Sequence, residues 1–238
     1  MNFSRRNFVA SASTLLATSA TMARAKSGVV GPGPAGSGPG PAMVSKPVVQ
    51  PLAPDLVRSS GVRPDLFVSA MDALDRHGAR LKRDRIGIVD FGAHSSQPRF
   101  HLVDLSSGQT RSLLVSHGSG SDPAYSGWLE RFSNRPGSNA TSEGAYATAQ
   151  YYTGKHGRSQ RLIGLDPTND NAMDRAIVVH SAWYAEPDMI EQHGKLGRSQ
   201  GCFAFPFADL DTVFAHLGEG RLIYARKMGA GAGASVLA

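Results

Sequence analysis

The stretch Ala176-Ile177-Val178-Val179-His180 is the strongest signal of a buried β-strand in this chain. Three of its four apolar residues are β-branched, and the run ends directly at a histidine. Further strands are predicted at residues 86–91, 100–105, 110–115, 145–152, 161–165 and 221–225. Short strands therefore dominate the pattern, which predicts a mainly β fold.

Two helices flank these strands. Pro64 stands at the first position of an amphipathic helix, and Gly218 is placed to cap a second, short one. The apolar residues at helical spacing are Leu66, Phe67, Ala70, Ala73, Leu74 and Leu81 in the first helix, and Leu210, Val213, Phe214 and Leu217 in the second. Because strands do not alternate with helices, no parallel βαβ arrangement is expected. The sequence predicts one domain over residues 62–228, a mainly β sandwich or barrel with a few short helices.

The first 25 residues have the features of an export signal. Arg5 and Arg6 precede a weakly apolar run, and Ala23-Arg24-Ala25 offers small residues for cleavage. The arginine pair resembles a twin-arginine signal, and an ordinary secretory signal is the alternative. We therefore expect an exported protein of the periplasm or cell wall, with no integral membrane segment once the signal is removed.

The composition of the remaining ends predicts little structure there. Residues 26–61 are rich in proline and glycine and read as a flexible linker, and residues 229–238 form a Gly/Ala-rich tail that we expect to be disordered. Removal of the signal leaves 22 basic against 19 acidic residues. This mild excess, without a run of Lys or Arg, argues against a nucleic-acid partner.

Cys202 is the single cysteine of the chain. An exported protein with one thiol cannot form an internal disulfide, so Cys202 is either a buried structural thiol or a nucleophile. Gly201 favours the second interpretation, because it allows a substrate close to the backbone and successive N–H groups can hold an oxyanion. Arg198 adds positive potential nearby.

A nucleophilic cysteine needs a base, and eight histidines are available. His180 is the first candidate because it ends a buried strand, while His193 and His117 in polar loops remain alternatives. No two histidines have the H-x₃₋₅-H spacing of a zinc site, so no metal is predicted.

Two motifs together carry a family resemblance. Val179-His180-Ser181-Ala182-Trp183 and Ser199-Gln200-Gly201-Cys202 resemble the active-site signature of the L,D-transpeptidases with a YkuD-type catalytic domain, in particular the murein L,D-transpeptidase catalytic domain subgroup. Further similar stretches are residues 116–121, 132–134, 137–138, 154–159, 164–169 and 195–199. The chain departs from the pattern at Gln200, where many members have histidine, and at Ala204, where many have Arg or Asn.

The resemblance implies a mechanism. Cys202 attacks a peptide carbonyl, His180 is the base, and the carbonyl of Ser181 orients it, while the N–H groups of Gly201 and Cys202 form the oxyanion hole. The candidate substrate-binding residues are Arg198, Ser199, Gln200, Trp183 and Tyr184. Core packing is the alternative for the two aromatic residues, and a solvated loop position is the alternative for Arg198.

The implied substrate is the tetrapeptide stem of peptidoglycan, which is cut after diaminopimelate with release of D-alanine. An amine of a second stem then gives a 3→3 cross-link, without metal or organic cofactor. Two alternatives stay open at this point: an L,D-carboxypeptidase that passes the acyl group to water, and a cell-wall-binding module with an inert thiol. The sequence does not predict the oligomeric state.

Overall fold

The computed structural model describes residues 60–229. The predicted export signal, nearly all of the predicted linker and residues 230–238 of the predicted tail lie outside the described residues. No helix within residues 60–229 combines the length and the apolar character needed to cross a bilayer.

In the part of the chain that the structure describes, eight strands form one mixed sheet. They are β1 (Arg85–Asp90), β2 (Phe100–Asp104), β3 (Thr110–Leu113), β4 (Gly144–Gly154), β5 (Gly157–Gly164), β6 (Val178–Ser181), β7 (Phe203–Phe205) and β8 (Leu222–Arg226). Their order across the sheet is β3-β2-β1-β8-β4-β5-β6-β7. The strand predicted from the opening stretch is β6, and it lies beside β7, whose first residue directly follows Cys202.

Within residues 60–229, three short α-helices accompany the sheet: α1 (Pro64–Arg76), α2 (Pro187–His193) and α3 (Leu210–Leu217). A mainly β domain with a few short helices is therefore confirmed. The first helix begins at Pro64 as predicted but ends at Arg76, so Leu81 lies outside it, after a 3₁₀ turn at Gly78–Arg80.

The expectation of no parallel βαβ unit is wrong at one place. β6 and β7 are parallel neighbours, and the chain between them contains α2. A parallel pair needs a long crossover, and the connection carrying the Cys202 motif supplies it. β1 and β8 are also parallel, while the other pairs of neighbouring strands are antiparallel.

The central strands are buried on both faces. Ile86 and Ile88 of β1 pack in one apolar cluster with Leu66 and Phe67 of α1. The alternate residue Val89 belongs to a second cluster, on the side of α3. Because successive side chains of a strand point to opposite faces, a strand covered on both sides reads as a continuous apolar run.

The sheet comes close to closing on itself. The chain that leaves β3 at one edge reaches β7 at the other, where the Ser116 N–H donates to the Ala204 carbonyl at 2.9 Å. Residues 116–119 are thereby brought next to the loop that carries Cys202.

Replacement of Phe67 tests the packing of α1 on the sheet. Phe67 is fully buried, whereas the adjacent Val68 is 46% exposed. We expect Phe67→Ala to lower the free energy of unfolding by about 3–5 kcal/mol, because it removes buried area and leaves a cavity. Val68→Ala is the matched control and should change the free energy by less than about 0.5 kcal/mol. Urea unfolding of residues 60–229 measures both; equal effects would contradict this packing.

Candidate active site

β6 holds His180 in a defined orientation. The residue is buried, and its Nδ1 lies 2.9 Å from the carbonyl oxygen of Ser181. A carbonyl only accepts, so Nδ1 carries the proton and Nε2 is left with a lone pair. This tautomer is the one that a general base requires.

Cys202 lies at the start of the neighbouring strand. In the parallel register Val179 pairs with Phe203 and His180 with Ala204, so Cys202 is two positions before the residue opposite His180. Alternate residues face the same side of a sheet, and the cysteine and histidine side chains line the same cleft of about 570 Å³. The Cys202 thiol lies 3.6 Å from the carbonyl oxygen of Ala176.

The backbone around the thiol is held in a form that ordinary residues rarely adopt. Gly201 has φ +111°, and a Cβ there would lie 2.7 Å from the Ala140 carbonyl oxygen. Ala176 has φ +53° although it is not glycine. A left-handed residue with a side chain costs about 1–2 kcal/mol, and such strain is concentrated at functional sites.

The Gly201 N–H, one of the two donors expected for an oxyanion, already has a partner. It donates to the hydroxyl of Ser199 at 3.1 Å, and that hydroxyl donates to the carbonyl of Cys202 at 2.7 Å. The Gly201 N–H can therefore donate to an oxyanion only if it gives up its hydrogen bond to Ser199. The second expected donor, the N–H of Cys202, belongs to the residue that carries the thiol.

The side chains of Cys202 and His180 are both neutral in this cleft. Burial raises the pKa of the Cys202 thiol above its ordinary value. Burial also lowers the pKa of His180 to about 4; the bond to Ser181 opposes this shift, and the positive potential of His156 and Lys155 adds to it. At pH 7 the pair is therefore thiol and imidazole, not thiolate and imidazolium.

A β-hairpin tip covers the base. β4 and β5 are joined at Lys155 and His156, and both residues line the cleft. The His156 ring stacks on the ring of His180, with centroids 4.3 Å apart and planes inclined by 23°. No role for either residue is predicted from the sequence, in which the only local signal is the short Lys155-His156-Gly157 turn between two predicted strands.

The cleft is electropositive. Lys155, Arg175 and Arg198 line it, and the one acidic lining residue is Asp174. Within the described part of the chain, none of the three cations forms an ion pair. The Arg175 guanidinium donates instead to the carbonyls of Ser133 and Ala140. Sequence reasoning missed Arg175, because only the tertiary fold brings it to the cleft.

Not all of the candidate substrate-binding residues line the cleft. Ser199, Gln200 and Tyr184 line the cleft. Trp183 is 68% exposed and lies outside the lining, with its ring edge-to-face against Tyr184 at 5.8 Å. Arg198 reaches the cleft, but its guanidinium donates to the Asp122 carbonyl and lies over the ring of Tyr125.

The alternative bases are elsewhere. His193 is exposed at the end of α2, and His117 is buried between Arg99 and Asp122; neither lines the cleft. Within residues 60–229, no group of three His, Cys, Asp or Glu side chains is arranged to hold a metal ion.

Comparison with solved structures finds L,D-transpeptidases. One from Mycobacterium tuberculosis H37Rv is 15% identical, with a TM-score of 0.39, over 60% of this chain and 58% of that chain. This chain thus spans less than two thirds of that protein's chain. One from Stackebrandtia nassauensis is 13% identical, with a TM-score of 0.38, over 74% of this chain and 77% of that chain. No curated protein sequence matches.

The family comparison covers most of the domain. The model of the L,D-transpeptidase catalytic domain (YkuD_2) matches residues 58–226, which include β1 to β8 and both active-site motifs. This match extends over more than half of the sequence. The chain belongs to the L,D-transpeptidase catalytic domain family.

Proposed function

We propose that this protein is a peptidoglycan L,D-transpeptidase that forms an acyl-enzyme on Cys202. The observation that carries the proposal is the hydrogen bond from His180 to the Ser181 carbonyl. It leaves the basic Nε2 in the cleft that the only thiol of the chain also lines. A nucleophile with an adjacent, oriented base is the arrangement used for covalent acyl transfer.

Acylation follows from the neutral resting pair. His180 Nε2 takes the thiol proton while Cys202 Sγ attacks the carbonyl between diaminopimelate and the terminal D-alanine. The oxyanion accepts a hydrogen bond from the Cys202 N–H. It accepts a second one from the Gly201 N–H once that group has released the hydroxyl of Ser199. Collapse breaks the C–N bond, and His180 returns the proton to the departing amine of D-alanine, which leaves a thioester.

Deacylation uses the same base in reverse. An amine of a second stem attacks the thioester, His180 takes its proton, and Cys202 leaves as the thiol when the proton is returned to sulfur. The product is a 3→3 peptide bond. No step calls on a metal or organic cofactor. The predicted export signal supports a site of action in the periplasm or cell wall.

The charge of the cleft supports an anionic substrate. Lys155, Arg175 and Arg198 have no carboxylate partner among the residues described. A stem that ends in diaminopimelate and D-alanine carries free carboxylates. These carboxylates would form ion pairs with the cations of the cleft, and this attraction favours entry of the stem.

The decisive experiment weighs the products. The protein without its signal, incubated with tetrapeptide-bearing muropeptides, should release D-alanine and give cross-linked dimers. Cys202→Ser is the control and should form neither dimer nor thioester, since a hydroxyl is a much weaker nucleophile at this site. Loss of D-alanine without dimers would identify an L,D-carboxypeptidase. An unchanged substrate would favour a non-catalytic wall-binding module and contradict the proposal.

The pH dependence tests the assignment of His180. The base must be unprotonated to act, so kcat/KM should fall as the pH drops through the pKa of His180. Because that pKa is lowered to about 4, activity should stay level from pH 7 down to about 5 and decline below. His180→Ala should reduce kcat by about 10³-fold or more. A midpoint near the ordinary histidine value of 6.5, or full activity in His180→Ala, would contradict the assignment.

Neutralising the hairpin tip tests recognition by charge. Lys155→Gln should raise KM about 2- to 5-fold at low salt, since an exposed ion pair contributes modestly, and should change kcat little. Lys82→Gln is the matched control, because Lys82 is exposed and lies outside the cleft lining. Equal KM values for the two variants would refute a carboxylate contact at Lys155. Steady-state kinetics at two salt concentrations measure the effect.

A further inference from the structure

Three ionisable residues are buried together next to the Cys202 loop without lining the cleft. Arg99, His117 and Asp122 are each at most 1% exposed. Arg99 Nη2 lies 2.7 Å from His117 Nδ1, and His117 Nε2 lies 3.3 Å from Asp122 Oδ2. We call this group the buried triad.

The hydrogen-bond partners fix the state of His117. A guanidinium only donates, so Nδ1 accepts from Arg99 and Nε2–H donates to the Asp122 carboxylate. The pKa of His117 is lowered to about 3, first by burial and then by Arg99, so the ring is neutral. A neutral imidazole with one allowed tautomer thus separates a buried cation from a buried anion.

The charged groups at both ends of the buried triad also form hydrogen bonds with backbone groups. Arg99 also donates to the carbonyls of Val115 and Ala93, at 2.9–3.1 Å. The Asp122 carboxylate accepts the N–H groups of Ser126 and Gly127, at 2.7 and 2.8 Å. Each end is thereby anchored to the chain, which leaves the imidazole little freedom to move.

The segment that carries His117 pairs with the chain on both sides of the nucleophile. Before Cys202, the Ser199 N–H donates to the His117 carbonyl at 2.9 Å and the Ser119 N–H donates to the Ser199 carbonyl at 2.8 Å. After Cys202, the Ser116 N–H donates to the Ala204 carbonyl at 2.9 Å. A shift of His117 therefore moves both ends of the loop that holds the thiol.

We propose that the buried triad Arg99–His117–Asp122 is a positioning network that sets the place of Cys202 relative to His180. The inference rests on the proposed function, because it concerns the same nucleophile and base. The three residues do not line the cleft, and they act on Cys202 through residues 116–119 and the hydrogen-bonded Ser199.

Stability alone does not explain the triad. Desolvation of a buried ion pair offsets much of its attraction, and apolar residues of similar volume often serve stability as well or better. The pairing of residues 116–119 with the Cys202 loop gives the triad a second effect. A displacement of about 1 Å between reacting groups can cost about 10²-fold in rate, which is far more than one surface contact contributes.

His117→Gln is the test variant, since its amide can stand in for Nε2 but no polar atom is bonded to Cγ, where Nδ1 accepts from Arg99. We expect kcat to fall about 10- to 100-fold with KM within about 3-fold, in protein that remains folded. His77→Gln is the matched control. His77 forms a 2.9 Å pair with Asp166 and lies outside the cleft lining. It should lose some thermal stability and keep its kcat; a kcat unchanged in His117→Gln would overturn the proposal.

A second measurement needs no substrate and so remains informative if the proposed function fails. Iodoacetamide labels the sole thiol, and His180→Ala should slow this reaction about 10-fold in the wild-type background. In the His117→Gln background the same change should slow it less than about 3-fold, because the thiol is no longer held against the imidazole. An equal slowing in both backgrounds would overturn the positioning role.

A variant that does not fold is replaced by a milder one. Asp122→Asn keeps the size of the side chain and removes the negative charge that accepts from His117 Nε2–H, and it leaves the hydroxyl of Ser199 in place. It should lower kcat about 3- to 10-fold and weaken the coupling between His180 and the thiol in the same direction as His117→Gln. Wild-type kcat together with wild-type coupling in folded Asp122→Asn would overturn the positioning role.

Discussion

The pairing of residues 116–119 with both sides of Cys202 is the interaction on which the site depends. β7 has three residues and lies at the edge of the sheet, so β6 alone would hold it weakly. The bond from Ser116 to Ala204 supplies its second neighbour. The same segment passes through His117, which is anchored on Arg99 deep in the core. The position of the thiol is thus set by the closure of the sheet.

Burial keeps both Cys202 and His180 in their neutral forms when no substrate is bound. Thiolate formation needs positive charge nearby, and Lys155 and Arg175 provide it, yet burial outweighs them and the pKa of Cys202 is raised. The same burial lowers the pKa of His180. In the proposed mechanism, proton transfer therefore accompanies attack on the substrate and does not precede it. Such a thiol resists adventitious oxidation better than a preformed thiolate.

The sequence predicted those parts of the molecule that depend on local pattern. The apolar run into His180, the helix start at Pro64 and the cap at Gly218 follow from periodicity and backbone preference, and each is found. The parallel pairing of β6 with β7 was missed, because a strand of three residues leaves no periodicity. Arg175 and the partners of His117 were missed for another reason: they are separated in sequence and meet only when the sheet closes.

Substrate charge and base strength are linked in this cleft. Burial is the main cause of the lowered pKa of His180, and the positive potential of the hairpin tip at His156 and Lys155 lowers it further. In the proposed function, a stem carboxylate beside Lys155 would offset this smaller part of the shift and raise the pKa of His180. By linkage, the proton that His180 takes from Cys202 would in turn strengthen the binding of the carboxylate. Lys155 would then do more than attract the stem, because the carboxylate bound beside it would help the imidazolium of His180 to form.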